Sequence, residues 1–444
     1  MQRDRKRDVI HLNAPKGWIN DPNGFIYYKG KYHLFYQFFP YATRWATMHW
    51  GHAISDDLVS WEHLGVALFP TIYEDQNGCF SGSAVECAGN MHLFYTGAHY
   101  DKVNAKDIHL CRDDAFTATQ LSIVSEDGFH FDNFCGKQVV IPAITDAKIG
   151  DSTHARDPKV WRGKDAWHMV IGSTTMDHKG ELVFYRSEDL SDWAFVNVAA
   201  LDETYGWMWE CPDYFKTEGG EVLVVSPMGW KDPDLQETNQ TICMTVSFDE
   251  QTSKLQFLGQ WQYLDYGHDL YAPQSTLDAE GRRVLIAWLR MPMPVDDSWI
   301  GMFCIPRVVE VHDGHIYFRV HPNVEHQFSN KISDISQSAT EDYRISIDLA
   351  EGELINIGGY RIMRKEGRIC TDRKAVFPEN PNFQIQSQTP PIQDGNHVDV
   401  YVNEHLIEVF VNYGEYVISH AVYGLRNEIT TDAVCQPDIY TLNE

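Results

Sequence analysis

The chain is 444 residues long, 43% hydrophobic and 13% aromatic, enough to bury large cores and, by length, to form two or three domains. Its 63 acidic against 36 basic residues give a formal net charge of −27, which argues against a nucleic acid or an anionic membrane as partner and leaves a neutral small molecule as the fitting one. Nine cysteines without a C-x-x-C pair point to reduced thiols, because an odd count excludes a complete internal disulfide set. The charged start, Met1 to Asp8, lacks the apolar core of a signal peptide, and no run of about 18 apolar residues follows. The expectation is a cytoplasmic protein.

The first stretch that stands out is Trp18-Ile19-Asn20-Asp21-Pro22-Asn23-Gly24, directly ahead of an aromatic strand, Phe25-Ile26-Tyr27-Tyr28. Pro fixes φ, the residue before it avoids the helical region, and Asn and Gly tolerate positive φ, so the stretch presents Asp21 on a turn. Taken alone it is an ordinary β-turn. It does not stand alone. A strand opened by a turn occurs at Gly30–Tyr36 and again at Gly89–Tyr95, with weaker copies at Lys164–Val170, Gly219–Val225 and Gly281–Trp288. Ahead of each copy stands a short signature: Asn20-Asp21-Pro22, Phe80-Ser81-Gly82-Ser83, Arg156-Asp157-Pro158, Glu210-Cys211-Pro212 and Tyr271-Ala272-Pro273-Gln274. Behind it a further segment recurs, clearest as Ser55-Asp56-Asp57-Leu58-Val59-Ser60-Trp61 and Ser187-Glu188-Asp189-Leu190-Ser191-Asp192-Trp193.

A repeated unit of about four short strands without helical periodicity matches a β-propeller blade, and five units imply five blades. The first strand of each blade lines the channel, so the five signatures should converge on the axis. From about residue 310 the pattern changes to alternating strands such as Tyr343–Leu349 and a hairpin of Ile407–Asn412 with Glu415–Ile418. The chain therefore reads as all-β, a five-bladed β-propeller over residues 1–312 followed by a C-terminal β-sandwich over 313–444.

Three of the five leading signatures carry an acid, at positions read as equivalent: Asp21, Asp157 and Glu210. Like charges brought together in a concave site repel and shift their pKa values, so three converging acids argue for chemistry. Glycoside cleavage needs one carboxylate that attacks or activates water and one carboxylic acid that protonates the departing oxygen. Asp21, beside Asn20 and Asn23, suits a nucleophile; Glu210, after Trp207-Met208-Trp209, suits a general acid in apolar surroundings. Asp157, next to Arg156, is expected to stay ionised and bind hydroxyls or developing positive charge. Thirteen tryptophans support a sugar, since aromatic planes stack on sugar faces. His49 and His52 point to opposite faces of a strand and are not expected to chelate one ion, so neither a metal nor a cofactor is expected. Asn239-Gln240-Thr241 is a glycosylation sequon that carries no meaning in a cytoplasmic protein.

Together these signatures, with Trp45-Ala46-Thr47-Met48-His49-Trp50-Gly51-His52, resemble glycoside hydrolase family 32, the invertase, sucrose-6-phosphate hydrolase and fructanase group. The resemblance implies a propeller plus sandwich that cleaves β-fructofuranosides with retention, with Asp21 as nucleophile, Asp157 as transition-state stabiliser and Glu210 as acid/base. It also implies that Asn20, Gln37, Trp45, Phe80, Ser81, Arg156, Tyr271 and Trp288 hold the fructosyl ring. Two departures stand out: Thr47 occupies a position where the family has Asn, and Asn403-Glu404-His405 replaces an Asp-Arg-Ser triplet. Arg44, Lys231 and Arg290 are candidates for a substrate phosphate by charge and position. The alternatives are an exo-acting fructanase, an inverting five-bladed relative and a non-catalytic fructan-binding propeller. No feature of the sequence indicates an oligomeric state.

Overall fold

A computed structural model describes residues 7–201, 205–232, 235, 239–335 and 342–443; most of the charged start, residues 1–6, lies outside them. Nearly all regular structure is strand. Each turn-opened hydrophobic copy becomes the second strand of a blade and pairs antiparallel with the signature strand before it. The five innermost strands are Gly17–Tyr28, Cys79–Cys87, Arg156–Arg162, Met208–Thr217 and Leu270–Leu277. Each lies beside the next, and the fifth returns to the first, closing a five-bladed propeller.

Every innermost strand breaks register at its signature, between Ile19 and Pro22, Cys79 and Gly82, Arg156 and Lys159, Glu210 and Asp213, and Tyr271 and Gln274. A bulge leaves residues unpaired and re-aims them. Proline at the outgoing side of four of these bulges is consistent with a position that donates no ladder hydrogen bond. Asp157, Cys211 and Ala272, the first unpaired residues of the last three bulges, have φ of 67°, 46° and 50°. Glu210 is therefore not equivalent to Asp157. Like Arg156 and Tyr271 it is the last paired residue, and Cys211 holds the position that matches Asp157.

Just below the signatures the blades are tied by buried hydrogen bonds. Asn23 Oδ1 accepts from Gly82 N at 3.2 Å, Ser83 Oγ donates to the Pro158 carbonyl at 2.7 Å, and Lys159 Nζ lies 2.9 Å from Asp213 Oδ1. Asp213 Oδ2 accepts from Ser275 N at 2.6 Å, and Gln274 Oε1 accepts from Phe25 N at 3.2 Å. Polar side chains pointing into a narrow channel must find partners there, and these find them on neighbouring blades. Ring closure is completed by Trp299–Ile300, which pairs parallel with Gly17-Trp18. On the outside, Ser55 Oγ accepts from Leu58 N at 2.8 Å and Ser187 Oγ from Leu190 N at 2.9 Å, so the two recurring serine segments form the same turn.

Asp313-Gly314, at the expected boundary of 312/313, is instead a hairpin turn within the fifth blade. Arg307–His312 pairs with His315–Val320, and both turn residues have positive φ, 50° and 82°, as a two-residue hairpin loop requires. The chain leaves the fifth sheet after Val320, through a short helix at Pro322–Glu325. We place the domain boundary there. Beyond it a six-stranded and a five-stranded sheet enclose an aliphatic core including Ile345, Ile362, Val400 and Ile418. Buried charges join the two parts: Arg307 meets Asp265 at 3.0 Å and Glu408 at 2.7 Å, and Arg373 meets Asp269 at 3.0 Å. Deleting one partner would leave an unpaired buried charge, which ties sandwich to propeller.

Candidate active site

Where the bulges converge, a cavity of about 680 Å³ opens, lined by residues of all five blades. Asp21, Asp157 and Glu210 line it, and so do Asn20, Gln37, Trp45, Phe80, Ser81, Arg156, Tyr271 and Trp288. Trp18, Trp207, His154, Asp114, Asn239 and Arg290 are also in the wall. Trp18 and Trp288 meet edge to face at 5.8 Å, as do Trp45 and Phe80 at 5.9 Å, so the aromatic walls brace one another.

Asp21 is buried and held at both oxygens. Ser81 Oγ donates to Oδ2 at 2.5 Å, and Asn20 Nδ2 to Oδ1 at 3.0 Å. The Trp18 indole in turn donates to Asn20 Oδ1 at 2.8 Å, which fixes the amide orientation. Burial pushes the Asp21 pKa up; the Ser81 bond opposes that, and the neighbouring Glu210 carboxyl adds to it. Asp157 Oδ2 accepts from the Cys211 backbone N–H at 2.9 Å. Burial raises this group to about 7, with Arg156 opposing and Glu210 and Asp21 reinforcing the rise. The Cys211 thiol lies 3.5 Å from both Asp21 Oδ2 and Asp157 Oδ2, bridging the two carboxyls.

Two expectations need correction. Arg156 does not pair with Asp157: its Nε and Nη2 donate to Glu210 Oε1 at 3.1 and 2.9 Å. The bulge re-aims Asp157, at φ 67°, and its carboxyl accepts from the Cys211 N–H instead. Nor is Glu210 wrapped by its tryptophan neighbours. Trp209 turns into the core between blades, against Gly180, where a Cβ would fall 2.1 Å from the indole. Only Trp207 faces the cavity. Glu210 instead meets Arg156 and the Tyr271 hydroxyl, 2.7 Å from Oε2.

Thr47 is absent from the wall; its Oγ1 lies 2.8 Å from His109 Nδ1, on a hairpin of blade two. Of the three cations singled out, Arg290 alone lines the cavity, with its guanidinium 5.4 Å from the Tyr271 ring centroid, while Arg44 pairs with Asp107 at 2.9 Å. His49 and His52 bond elsewhere, to the Thr47 carbonyl and to His33, both at 3.0 Å. Asn239 of the sequon lines the cavity, as do His154 and Asp114, which no local signal marked.

Residues 11–322 match the model of the glycosyl hydrolases family 32 N-terminal domain. The sucrose-6-phosphate hydrolase of Bacillus subtilis (strain 168) is 31% identical, with 97% of this chain and 92% of that one covered. That of Zymomonas mobilis subsp. mobilis (strain ATCC 10988) is 38% identical over 95% and 86%. A family 32 beta-fructofuranosidase of Bombyx mori superposes with a TM-score of 0.83 at 30% identity, covering 99% of this chain and 94% of that one. Fold and relatives define a glycoside hydrolase. The chain belongs to glycoside hydrolase family 32 and acts on β-fructofuranosides.

Proposed function

We propose that the chain hydrolyses the fructosyl bond of sucrose, sucrose 6-phosphate or short fructo-oligosaccharides with retention, through a covalent fructosyl-enzyme. The observation that carries this reading is the meeting of Asp21, Asp157 and Glu210 in one aromatic-walled cavity. Asp21, oriented by Ser81 and Asn20, attacks the anomeric carbon as the glycosidic C–O bond breaks, and Glu210 gives its proton to the departing oxygen. Water then loses a proton to Glu210 and attacks the same carbon, releasing Asp21 and fructose. Asp157, held by the Cys211 N–H, binds ring hydroxyls and balances positive charge developing on the ring. Arg156 and Tyr271 hold the Glu210 carboxyl at both oxygens.

The relatives described as sucrose-6-phosphate hydrolases support a short, sucrose-like substrate. So does the sucrose complex of a variant of the Bombyx mori protein, 29% identical to this chain. Nine free thiols support a cytoplasmic setting, and among the described residues no helix is long and apolar enough to cross a membrane. Relative kcat/KM for sucrose, sucrose 6-phosphate, kestose and inulin tests the reading. Short substrates should be preferred; a steady rise with chain length up to inulin contradicts it.

A further inference from the structure

His154 stands beside the machinery without touching the acids. It sits two residues before Arg156, its ring edge-on to Trp207 at 4.9 Å and to Phe116 at 5.9 Å. Its Nε2 lies 2.9 Å from Asp114 Oδ2, and its Nδ1 lies 3.3 Å from Arg156 Nη1. Asp114 arrives from blade two, just past the hairpin of Val103–Asn104 and Asp107–Cys111, and both Asp113 and Asp114 have positive φ. A guanidinium can only donate, so the nitrogen facing it must carry a lone pair. The proton then sits on Nε2 and is donated to Asp114.

We infer that His154 is a positioning residue for Arg156: its neutral ring, with the tautomer set by Asp114, accepts from Nη1 and keeps Nε and Nη2 aimed at Glu210. This rests on the assignment of Glu210 as the acid/base group. The chain Asp114–His154–Arg156–Glu210 spans blades two, three and four, so the aim of Arg156 depends on a loop remote in sequence. Protonating His154 replaces the acceptor with a second donor and sets two positive groups face to face. Asp114 and, more weakly, Asp151 favour that protonation. Burial and Arg156 oppose it and prevail, leaving the ring pKa below the ordinary histidine value. His154 is thus neutral near pH 7, and the aim of Arg156 is lost only as pH falls through the lowered value.

The test uses kcat/KM on sucrose against pH for wild type, His154→Gln, His154→Leu, Arg156→Ala and the Leu/Ala double variant, with ¹⁵N NMR of histidine-labelled wild-type enzyme. We expect the Nε2–H tautomer at pH 7. Leu should lose about 10- to 100-fold, as small misplacements of catalytic groups do. Gln accepts and donates without titrating; it should recover at least about tenfold of that loss, and the acid limb of the wild type should be steeper than that of Gln by one proton. In the Arg156→Ala background, Leu should cost little more. An Nδ1–H tautomer, equal losses for Gln and Leu, an acid limb of equal slope in Gln and wild type, or losses that multiply in the double variant would overturn the inference. If Leu does not fold, the tautomer and the Gln limb decide. Glu210→Gln is the separate control: retained hydrolysis there overturns the acid/base assignment, whereas its loss alongside a wild-type-like His154→Leu overturns the role of His154 alone.

Discussion

Arg156 reaches from the third blade to the fourth and places Nη2 2.9 Å and Nε 3.1 Å from the same oxygen of Glu210. One donor face thus fixes the carboxyl that must move a proton, while its other oxygen stays with the Tyr271 hydroxyl. Arg156→Lys keeps the charge and loses the fork. It should lower kcat/KM by about 100-fold, the scale expected when a catalytic group loses its alignment. Steady-state kinetics that leave Lys within a few-fold of wild type would remove the fork from the account.

Asp21→Asn should abolish hydrolysis, by at least about 1,000-fold, because the attacking charge disappears while shape and most hydrogen bonds remain. Its effect on stability should run the other way. Burial raises the Asp21 pKa, so ionised Asp21 costs the folded state free energy at neutral pH, and the amide relieves that cost. A Tm at or above wild type at pH 7 is expected from calorimetry. A large drop would show that Asp21 is structural.

Asp157 gives a pH signature. Its pKa rises from 3.8 to about 7 on folding, so between those values the folded state holds a proton that the unfolded chain has released. Stability contributed by this group therefore falls as pH rises through that window and is constant outside it. The change in Tm from pH 5 to pH 8 should be less negative in Asp157→Asn than in wild type. Parallel curves would show that the group does not titrate there.

Cys211 lies against two carboxyls, and burial together with those charges drives its thiol pKa well up. It should stay a protonated thiol and resist alkylation. After iodoacetamide at pH 8 and peptide mapping, exposed Cys135 and Cys435 should be modified in the folded enzyme and Cys211 should not. Rapid labelling of Cys211 would contradict the buried bridge between Asp21 and Asp157.

The blades were legible in the sequence because turn-then-strand units repeat and because proline and glycine mark each bulge. Position within the bulge was not. Glu210-Cys211-Pro212 matches Arg156-Asp157-Pro158 at the proline, but that Glu210 stays paired like Arg156 while Asp157 does not comes only from the strand register. The boundary expected at Asp313-Gly314 rested on the change of pattern nearby, but the same dipeptide serves a hairpin, and only pairing of Arg307–His312 with His315–Val320 decides between them. Trp209 was legible as apolar but not by direction: it fills the space that Gly180 leaves. His154 and Asp114 carried no local signal, because their meaning lies in a contact between blades.

The central claim, that Asp21 attacks and Glu210 moves the proton, is tested most directly by Glu210→Ala. General acid catalysis is worth about 10²- to 10⁴-fold, but only where the leaving group needs a proton. The variant should lose most activity on sucrose and much less fructosyl-enzyme formation on a β-fructoside whose aglycone leaves as a stable anion. Water attack still lacks its base, so a burst followed by slow turnover is expected. Azide needs no base; adding it should restore turnover and yield fructosyl azide of retained configuration by NMR. Equal losses on both substrates with no azide product, or a product of inverted configuration, would contradict the account.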